Sequence, residues 1–502
     1  MPSKKLNFSL APINDNPVNL TGGKLVDGYS HKNGFPTMKF SIPAQDVLLD
    51  VSTLKLSGQF IVNNNDGSIF TVADADVDNY NPNNDSATIL KQSCVNTSNW
   101  NGVASVIDKV VLQSKKTQSE LSTIINYSGY NALKMGHQNN QDDYLASTQI
   151  RSLCAGGLSG VVNRHLNNTP TIGEVRADTL SDKFMGQFFS IPLDVAMLQS
   201  QNIHLGNDFA GGLMLTLHLS PDASVFHSRF RSVNADANIT GRGDVTGVSY
   251  VLKNVKLEGK FLVPQKQDLK AYNPVVTMKS RVNLMNDIVS SENSSTYTPQ
   301  LKMVRSVVNT FLDDNQSNNY LLNQNNFRVP VGLVQYQQGK NSIRYPNDFD
   351  TKIVPNSQST TATGAINPNL TNFPSSVQGD AELRLQFSRA LLGGKMSSHT
   401  SSTLSLTNDS MKADYDADQA TTATKMRGDN TKPDLLGVGC DYTNGIRQTQ
   451  GYVNQDYELK VSSGVNSGRA NLPATRSNRI AVVESYVQNF SQIDLRTLQK
   501  TQ

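Results

Sequence analysis

The stretch Val106–Leu133, "VIDKVVLQSKKTQSELSTIINYSGYNAL", decides how the rest of the chain is read. Ile107 to Leu112 form a strand-like run rich in β-branched residues. A polar turn follows. Ser119 is of the type that caps helices, and Leu121, Ile124, Ile125 and Tyr127 then recur at helical spacing. This predicts a helix of about two turns laid over a sheet edge. A strand-to-helix step among Asn-rich loops suits a sheet protein with occasional short helices.

The flanking sequence supports that reading. In "TMKFSIP", Met38, Phe40 and Ile42 alternate with Lys39 and Ser41, the two-residue period of a half-buried strand. In "STLKLSGQFIV", Leu54, Leu56 and Phe60 lie on one face and Lys55, Ser57 and Gln59 on the other. Leu213, Leu215, Leu217 and Leu219 alternate after a Gly211-Gly212 turn, and Val255, Leu257, Phe261 and Val263 alternate before Pro264. The pattern then restarts, with strand-like runs in "PVVTMKSRVNL", Gln300–Leu312, "NNFRVPVGLVQYQ", "DYELKVSS" and "IAVVESYVQNFSQI". Short helices are expected at Asp142–Leu153 and Ala381–Leu392. Residues 63–100, 355–378 and 396–436 read as long polar loops. Three parts follow: an N-terminal arm at 1–34, one β unit at 35–264 and a second at 265–502. The duplication is one of plan, without a residue-level repeat.

Composition excludes several function classes. Charged residues make up only 17% of the 502, so the chain's polarity comes from Asn, Ser, Thr and Gln, which favour turns and loops. A net charge of +3 without a dense basic patch argues against sequence-specific nucleic-acid binding. Cys94, Cys154 and Cys440 are too few and too scattered for a zinc ribbon or a disulfide framework. The start, "MPSKKLNFSLAPINDNP", has no apolar signal-peptide core, and no apolar run reaches 18 residues. The expectation is synthesis in the cytosol and no membrane span.

Candidate chemistry is sparse. The histidines, His31, His137, His165, His204, His218, His227 and His399, make neither HxH nor HExxH, and there is no G-x-S-x-G or Walker loop. Asp74, Asp76, Asp78 and Asp85 fall at positions 1, 3, 5 and 12 of a calcium-loop template. However, Asn79 stands where the template needs Gly, and Asp85 is shorter than the usual Glu, so a solvated acidic loop is the simpler account. "DYDADQ" at 414–419 repeats the spacing but meets Lys425 at position 12. Arg242-Gly243-Asp244 matches a tripeptide of some integrin ligands, although Gly241 and Gly243 equally mark a turn. The lone Trp100 reads as a loop anchor. No catalytic, cofactor-binding or metal-binding residue is assigned.

In order along the chain, these segments resemble the major capsid proteins of polinton-like viruses and virophages. The resemblance rests on Ser114, Leu121, Ile124, Tyr127, Tyr130, Asn131 and Leu133 in the opening stretch. It continues at "FSIPL" (Phe189–Leu193), at Gly211-Gly212-Leu213, at "YVLKNVKLEGKFLVP" and at "IRYPNDF". It implies an all-β protein of two tandem eight-stranded jelly rolls with long loops and a few short helices. It further implies a non-enzymatic, homotrimeric, pseudo-hexameric capsomer in the virion of an icosahedral DNA virus. Its partners would be neighbouring capsomers and penton and minor capsid proteins, with no specific nucleic acid. Alternatives are a minor or vertex capsid protein, or a β-sandwich adhesin or carbohydrate-binding protein. The loops at 62–100 and 396–436 lie outside the resemblance.

Overall fold

A computed structural model describes residues 4–14, 18–21, 24–32, 35–64, 95–97, 102–118, 120–138, 187–193, 202–207, 211–228 and 248–263 of the first half. In the second half it describes 275–286, 292–297, 304–312, 333–340, 343–345, 386–391, 437–441, 457–463, 482–494 and 500–501. The strands, numbered in chain order, begin with β1 (Lys4–Leu10), a β2–β3 hairpin (Val18–Thr21 and Lys24–Asp27), β4 (Thr37–Ile42) and β5 (Leu48–Asn64). After β6 (Val95–Thr97) come β7 (Ile107–Ser114), β8 (Glu120–Ile124), β9 (Gln187–Pro192), β10 (Asn202–His204) and β11 (Leu213–Leu219). β12 (Phe226–Ser228) pairs with β6, and β13 (Val248–Val263) closes the first half. The second half holds β14 (Val275–Asn286), β15 (Glu292–Tyr297), β16 (Val304–Leu312), β17 (Leu333–Lys340) and β18 (Ile343–Tyr345). It ends with β19 (Gly437–Asp441), β20 (Tyr457–Ser463), β21 (Val482–Asp494) and β22 (Lys500–Thr501).

The pairing order fixes the fold. In the first half one sheet runs β1-β13-β5-β10, with β9 also on β5, and the other runs β4-β11-β7-β8. In the second half the sheets run β14-β21-β16-β19, with β22 on β21, and β15-β20-β17-β18. Ranked by position along its own half, with β9 and β10 as one interrupted strand and the β2–β3 pair, the β6–β12 pair and β22 set aside, each half reads 1-8-3-6 and 2-7-4-5. That interleaving of two antiparallel sheets is a jelly roll. No sheet mixes strands from the two halves among the described residues, so the chain folds as two tandem jelly-roll lobes.

The alternating patterns supply the core. Met38, Phe40, Ile42, Leu213, Leu215 and Leu217 are fully buried on neighbouring strands of one sheet, as are Leu56, Phe60 and Leu257 on neighbouring strands of the other. Register is fixed because a slip of one residue would turn these side chains to water. At the head of β11, Gly212 has φ +85°, and a Cβ there would sit 2.6 Å from the Ile42 carbonyl oxygen, so only glycine fits.

The opening stretch departs from expectation. Residues 120–124 are not a helix but strand β8, hydrogen-bonded to β7 from Val110↔Ile124 to Gln113↔Glu120. Leu121 and Ile124, three residues apart, suit a helix by spacing alone, but the β-branched Thr123 and Ile124 favour a pleated surface. The helix, α1 (Tyr127–Gln138), starts after Asn126, whose side-chain oxygen accepts from the Gly129 N–H at 3.3 Å. Asn126 Oδ1 therefore fills the capping role expected of Ser119. Tyr127, Tyr130 and Leu133 are buried, while Ile125 is exposed. A single helical turn, α2 (Asp222–Val225), joins β11 to β12. In the second lobe a helix at 386–391, α3, falls within the expected Ala381–Leu392. Ser306 Oγ on β16 donates to the Ala390 carbonyl at 2.7 Å, tying α3 to that sheet. The expected helix at Asp142–Leu153 lies outside the described residues.

Candidate assembly surface

Every open jelly roll presents sheet edges, which invite further pairing unless covered or charged. The first lobe's described edges are β1, β10, β4 and β8. One is covered by the second lobe: β14, an edge strand of that lobe's five-stranded sheet, runs in contact with β8. This seam joins two different edges, not two copies of one.

The β4 edge is closed by residues expected to be a loose arm. The Ile13 N–H donates to the Lys39 carbonyl at 2.7 Å. The Asn14 side-chain amide donates to the Thr37 carbonyl at 2.7 Å, and its oxygen accepts from the Lys39 N–H at 3.0 Å. One side chain thus supplies the donor and acceptor of a missing neighbouring strand. Tyr29, buried, donates its hydroxyl to the Asn14 carbonyl and exchanges both backbone hydrogen bonds with Leu252.

β1 is also built from the expected arm. It pairs with β13 from Lys4↔Val263 to Leu10↔Leu257. The signal is present in the sequence: Leu6, Phe8 and Leu10 alternate with Lys5, Asn7 and Ser9. Phe8 stacks on Phe261 with centroids 4.2 Å apart, over Gly259, where a Cβ would strike the Phe8 ring. Lys4 through Asn7 are nevertheless exposed, and Leu6 is 40% exposed.

The polar groups of the first lobe gather at one corner. Asp222 is almost wholly buried and accepts from the Tyr250 N–H at 3.4 Å; its carboxyl is pushed up to about 6 by burial, against the pull of that hydrogen bond and of Lys32. Tyr250 is fully buried and donates its hydroxyl to the Ser220 carbonyl at 2.5 Å. Burial, and secondarily the charge of Asp222, holds its phenol well above the usual range. Nearby, partial removal from water raises the Asp108 carboxyl against His218, His31 and Lys109, and lowers His218. Partial burial dominates both shifts.

The sequence candidates are dispersed. His31 is exposed and His218 half-buried at this corner, while His204 is buried in β10 with Nδ1 accepting from the Gly206 N–H at 3.0 Å. His137 lies in α1 and His227 in β12. Asp74, Asp76, Asp78, Asp85, Trp100, Arg242-Gly243-Asp244, His165, His399 and 414–419 lie outside the described residues, as do Cys94 and Cys154. Cys440 is buried and takes part in no disulfide. Among the described residues no three His, Cys, Asp or Glu side chains could share a metal ion, and no helix is long and apolar enough to cross a membrane.

No family model matches the chain, and no curated protein matches it. Solved viral structures are similar to it along nearly its whole length. The mavirus major capsid protein shares 10% identity at a TM-score of 0.45, over 99% of this chain and 89% of that one. The Sputnik virophage structure shares 10% at 0.46, over 100% and 88%. The Faustovirus major capsid protein shares 9% at 0.45, over 98% and 90%. At such scores these likenesses add no weight to the strand order, which by itself makes the chain an all-β protein of two tandem jelly rolls.

Proposed function

We propose that the chain is a major capsid protein of an icosahedral DNA virus, acting as a homotrimeric, six-lobed capsomer and not as an enzyme. The observation that carries this reading is the tandem repetition of one strand order with an asymmetric seam between the repeats. Jelly rolls also serve lectins and cupins, so the fold alone does not assign a role. Tandem fusion changes what one chain can do. Two similar lobes joined edge to edge make one third of a six-sided block, and such a block tiles a surface through many modest, equivalent contacts.

The ordered capsid-like segments of the sequence support the same reading. Low charge density does too, because amide-rich surfaces can meet without long-range repulsion. Trimer contacts would be large and partly apolar, and contacts between capsomers smaller and polar. Capsomers would meet penton and minor capsid proteins in the virion, and the polypeptide would be made in the host cytoplasm. In domain terms, 35–264 and 265–502 are the two lobes, with 1–34 strapped to the first.

Light scattering and negative-stain imaging of the purified chain test the proposal. The expected result is a trimer with hexagonal outline, on the order of 80 Å across from sheet spacing and lobe count. A monomer at micromolar concentration refutes it.

A further inference from the structure

One connection in the first lobe crosses from sheet to sheet. It leaves β10 in one sheet and enters β11 in the other. The Leu205 N–H donates to the Val47 carbonyl at 3.1 Å, and the Gly212 N–H donates to the Leu205 carbonyl at 3.1 Å. The Gly211 N–H donates to the Gly206 carbonyl at 2.9 Å, and the Lys115 N–H, beside β7, donates to the Gly212 carbonyl at 3.1 Å. β10 itself is an edge strand that meets β5 at only three residues. The crossing therefore adds to the little that holds β10 in place. His204 stands at its root, 2% exposed, and its Nδ1 accepts the Gly206 N–H at 3.0 Å. An accepting Nδ1 has a lone pair, so the ring is neutral and carries its hydrogen on Nε2. A second proton must go to Nδ1. That proton would meet the Gly206 N–H donor to donor, and the bond that anchors Gly206 would be lost.

A different partner lies close by. The point that a Gly206 Cβ would occupy is 2.6 Å from Cε1 and 2.9 Å from Nδ1 of His204, and 3.0 Å from Asp46 Oδ1. Glycine thus leaves a gap bordered by the ring and a carboxylate. We propose that His204 is a proton-operated latch: neutral, it ties down the crossing from β10 to β11; protonated, it exchanges the Gly206 N–H for the Asp46 carboxylate and releases that crossing. The inference goes beyond the proposed capsomer and does not depend on it. Two observations separate the latch from a histidine that merely fills space. The accepted hydrogen bond makes the closed form specific for the neutral ring, and Asp46 offers the charged ring an acceptor once Gly206 moves. A two-state element biased by one proton is what a pH switch needs. The other charged groups on the elements packed here are Asp50, Lys115 and Lys116. Asp50 accepts the Ser52 hydroxyl, Lys115 Nζ donates to the Ser41 hydroxyl, and the Lys116 Cβ lies against Gly211. The latch opens as pH falls, because the closed form excludes the second proton. Asp222 biases the lobe the other way, since its burial favours the protonated form, so acid opening of the crossing is distinct from a general weakening by acid.

Amide exchange on the full chain tests the latch, with each rate referred to that of an unstructured peptide at the same pH. Between about pH 7.5 and 5.5 the protection of the Leu205, Gly206, Gly211 and Gly212 amides should fall about tenfold or more, while residues 38–42 of β4 keep theirs. Asn places an oxygen near the position of Nδ1 and does not titrate, so His204→Asn should hold the same protection at both ends of the range. Gly206→Ala fills the gap and drives the ring off its site, so protection of the crossing should be low throughout. Unchanged protection in the unsubstituted chain, an equal fall across β4 and β5, or a fall that persists in His204→Asn overturns the latch. If His204→Asn does not fold, Gly206→Ala decides: full protection with the pH response intact overturns the latch as well.

Discussion

Asp222→Asn should stabilise the chain at neutral pH and flatten its pH dependence. Asp222 is buried at the polar corner of the first lobe, where the Tyr250 N–H and the charge of Lys32 both favour its ionised form. Its carboxyl is displaced from 3.8 to about 6, burial being the main cause. The folded state therefore binds this proton more tightly than the unfolded state does. Stability from this group is fully present below pH 3.8, declines as pH rises through 6, and is absent above it. A displacement of about two pH units is worth about 3 kcal/mol, the ceiling of the effect. Asn keeps the oxygen that accepts the Tyr250 N–H and never ionises. The assay is thermal or urea unfolding of wild type and variant from about pH 4.5 to 8, the range that brackets the displaced carboxyl. The difference should be small at the acid end and grow to between about 1 and 3 kcal/mol in favour of Asn at the alkaline end. Contributions from Asp108 and His218 are common to both proteins and drop out. Parallel curves, or a variant whose relative stability falls as pH rises, would refute the burial argument.

Other perturbations test other parts of the fold. Phe40→Ala removes a fully buried ring from the first sandwich and should cost about 3–5 kcal/mol in urea unfolding. Gly439→Val puts carbon within 2.9 Å of the Phe387 Cα and the Ala390 Cβ, so α3 must lift, and the buried Cys440 thiol should react with a maleimide at least about tenfold faster. Asn14→Leu removes the partners of the Lys39 N–H and the Thr37 carbonyl, which water can then reach, costing about 0.5–1.5 kcal/mol and opening residues 11–36 to limited proteolysis.

Strand existence is legible wherever one face is dry and the other wet. Met38, Phe40 and Ile42, and the Leu213–Leu219 alternation, give β4 and β11 directly. β8 reads as a helix because a five-residue strand buried on both faces shows no alternation, and Leu121 and Ile124 fit either period. β15, "ENSSTY", and β19, "GVGCD", carry little apolar signal and are strands because β20 and β16 offer them hydrogen-bonding edges. Such pairing is set by topology, not by local sequence. β1 escapes for a different reason: its alternation is present, but it sits within a polar leader. The Asn14 clamp has no sequence signal, because an amide that replaces a strand is recognisable only once Thr37 and Lys39 lie beside it. The polar corner is equally invisible, since residues 31, 108, 218, 222 and 250 meet only after the sheets form.

The two lobes share a strand order yet treat their edges unequally, and that inequality bears on assembly. In the first lobe β4 is closed from within by Ile13 and Asn14, and β8 is closed by the second lobe. β1 carries no such cover among the described residues, although it stands on the same sheet as the long, well-paired β5 and β13. A protein selected to remain monomeric would be expected to guard that edge, as Ile13 and Asn14 guard Thr37 and Lys39 of β4. Here two lysines guard only the first positions, and Leu6 follows them in the open. If covering β1 is left to another chain, then burial of Leu6 should appear only on association. Amide exchange at residues 5–8 should accordingly slow when the trimer forms, while exchange at residues 38–42 stays the same.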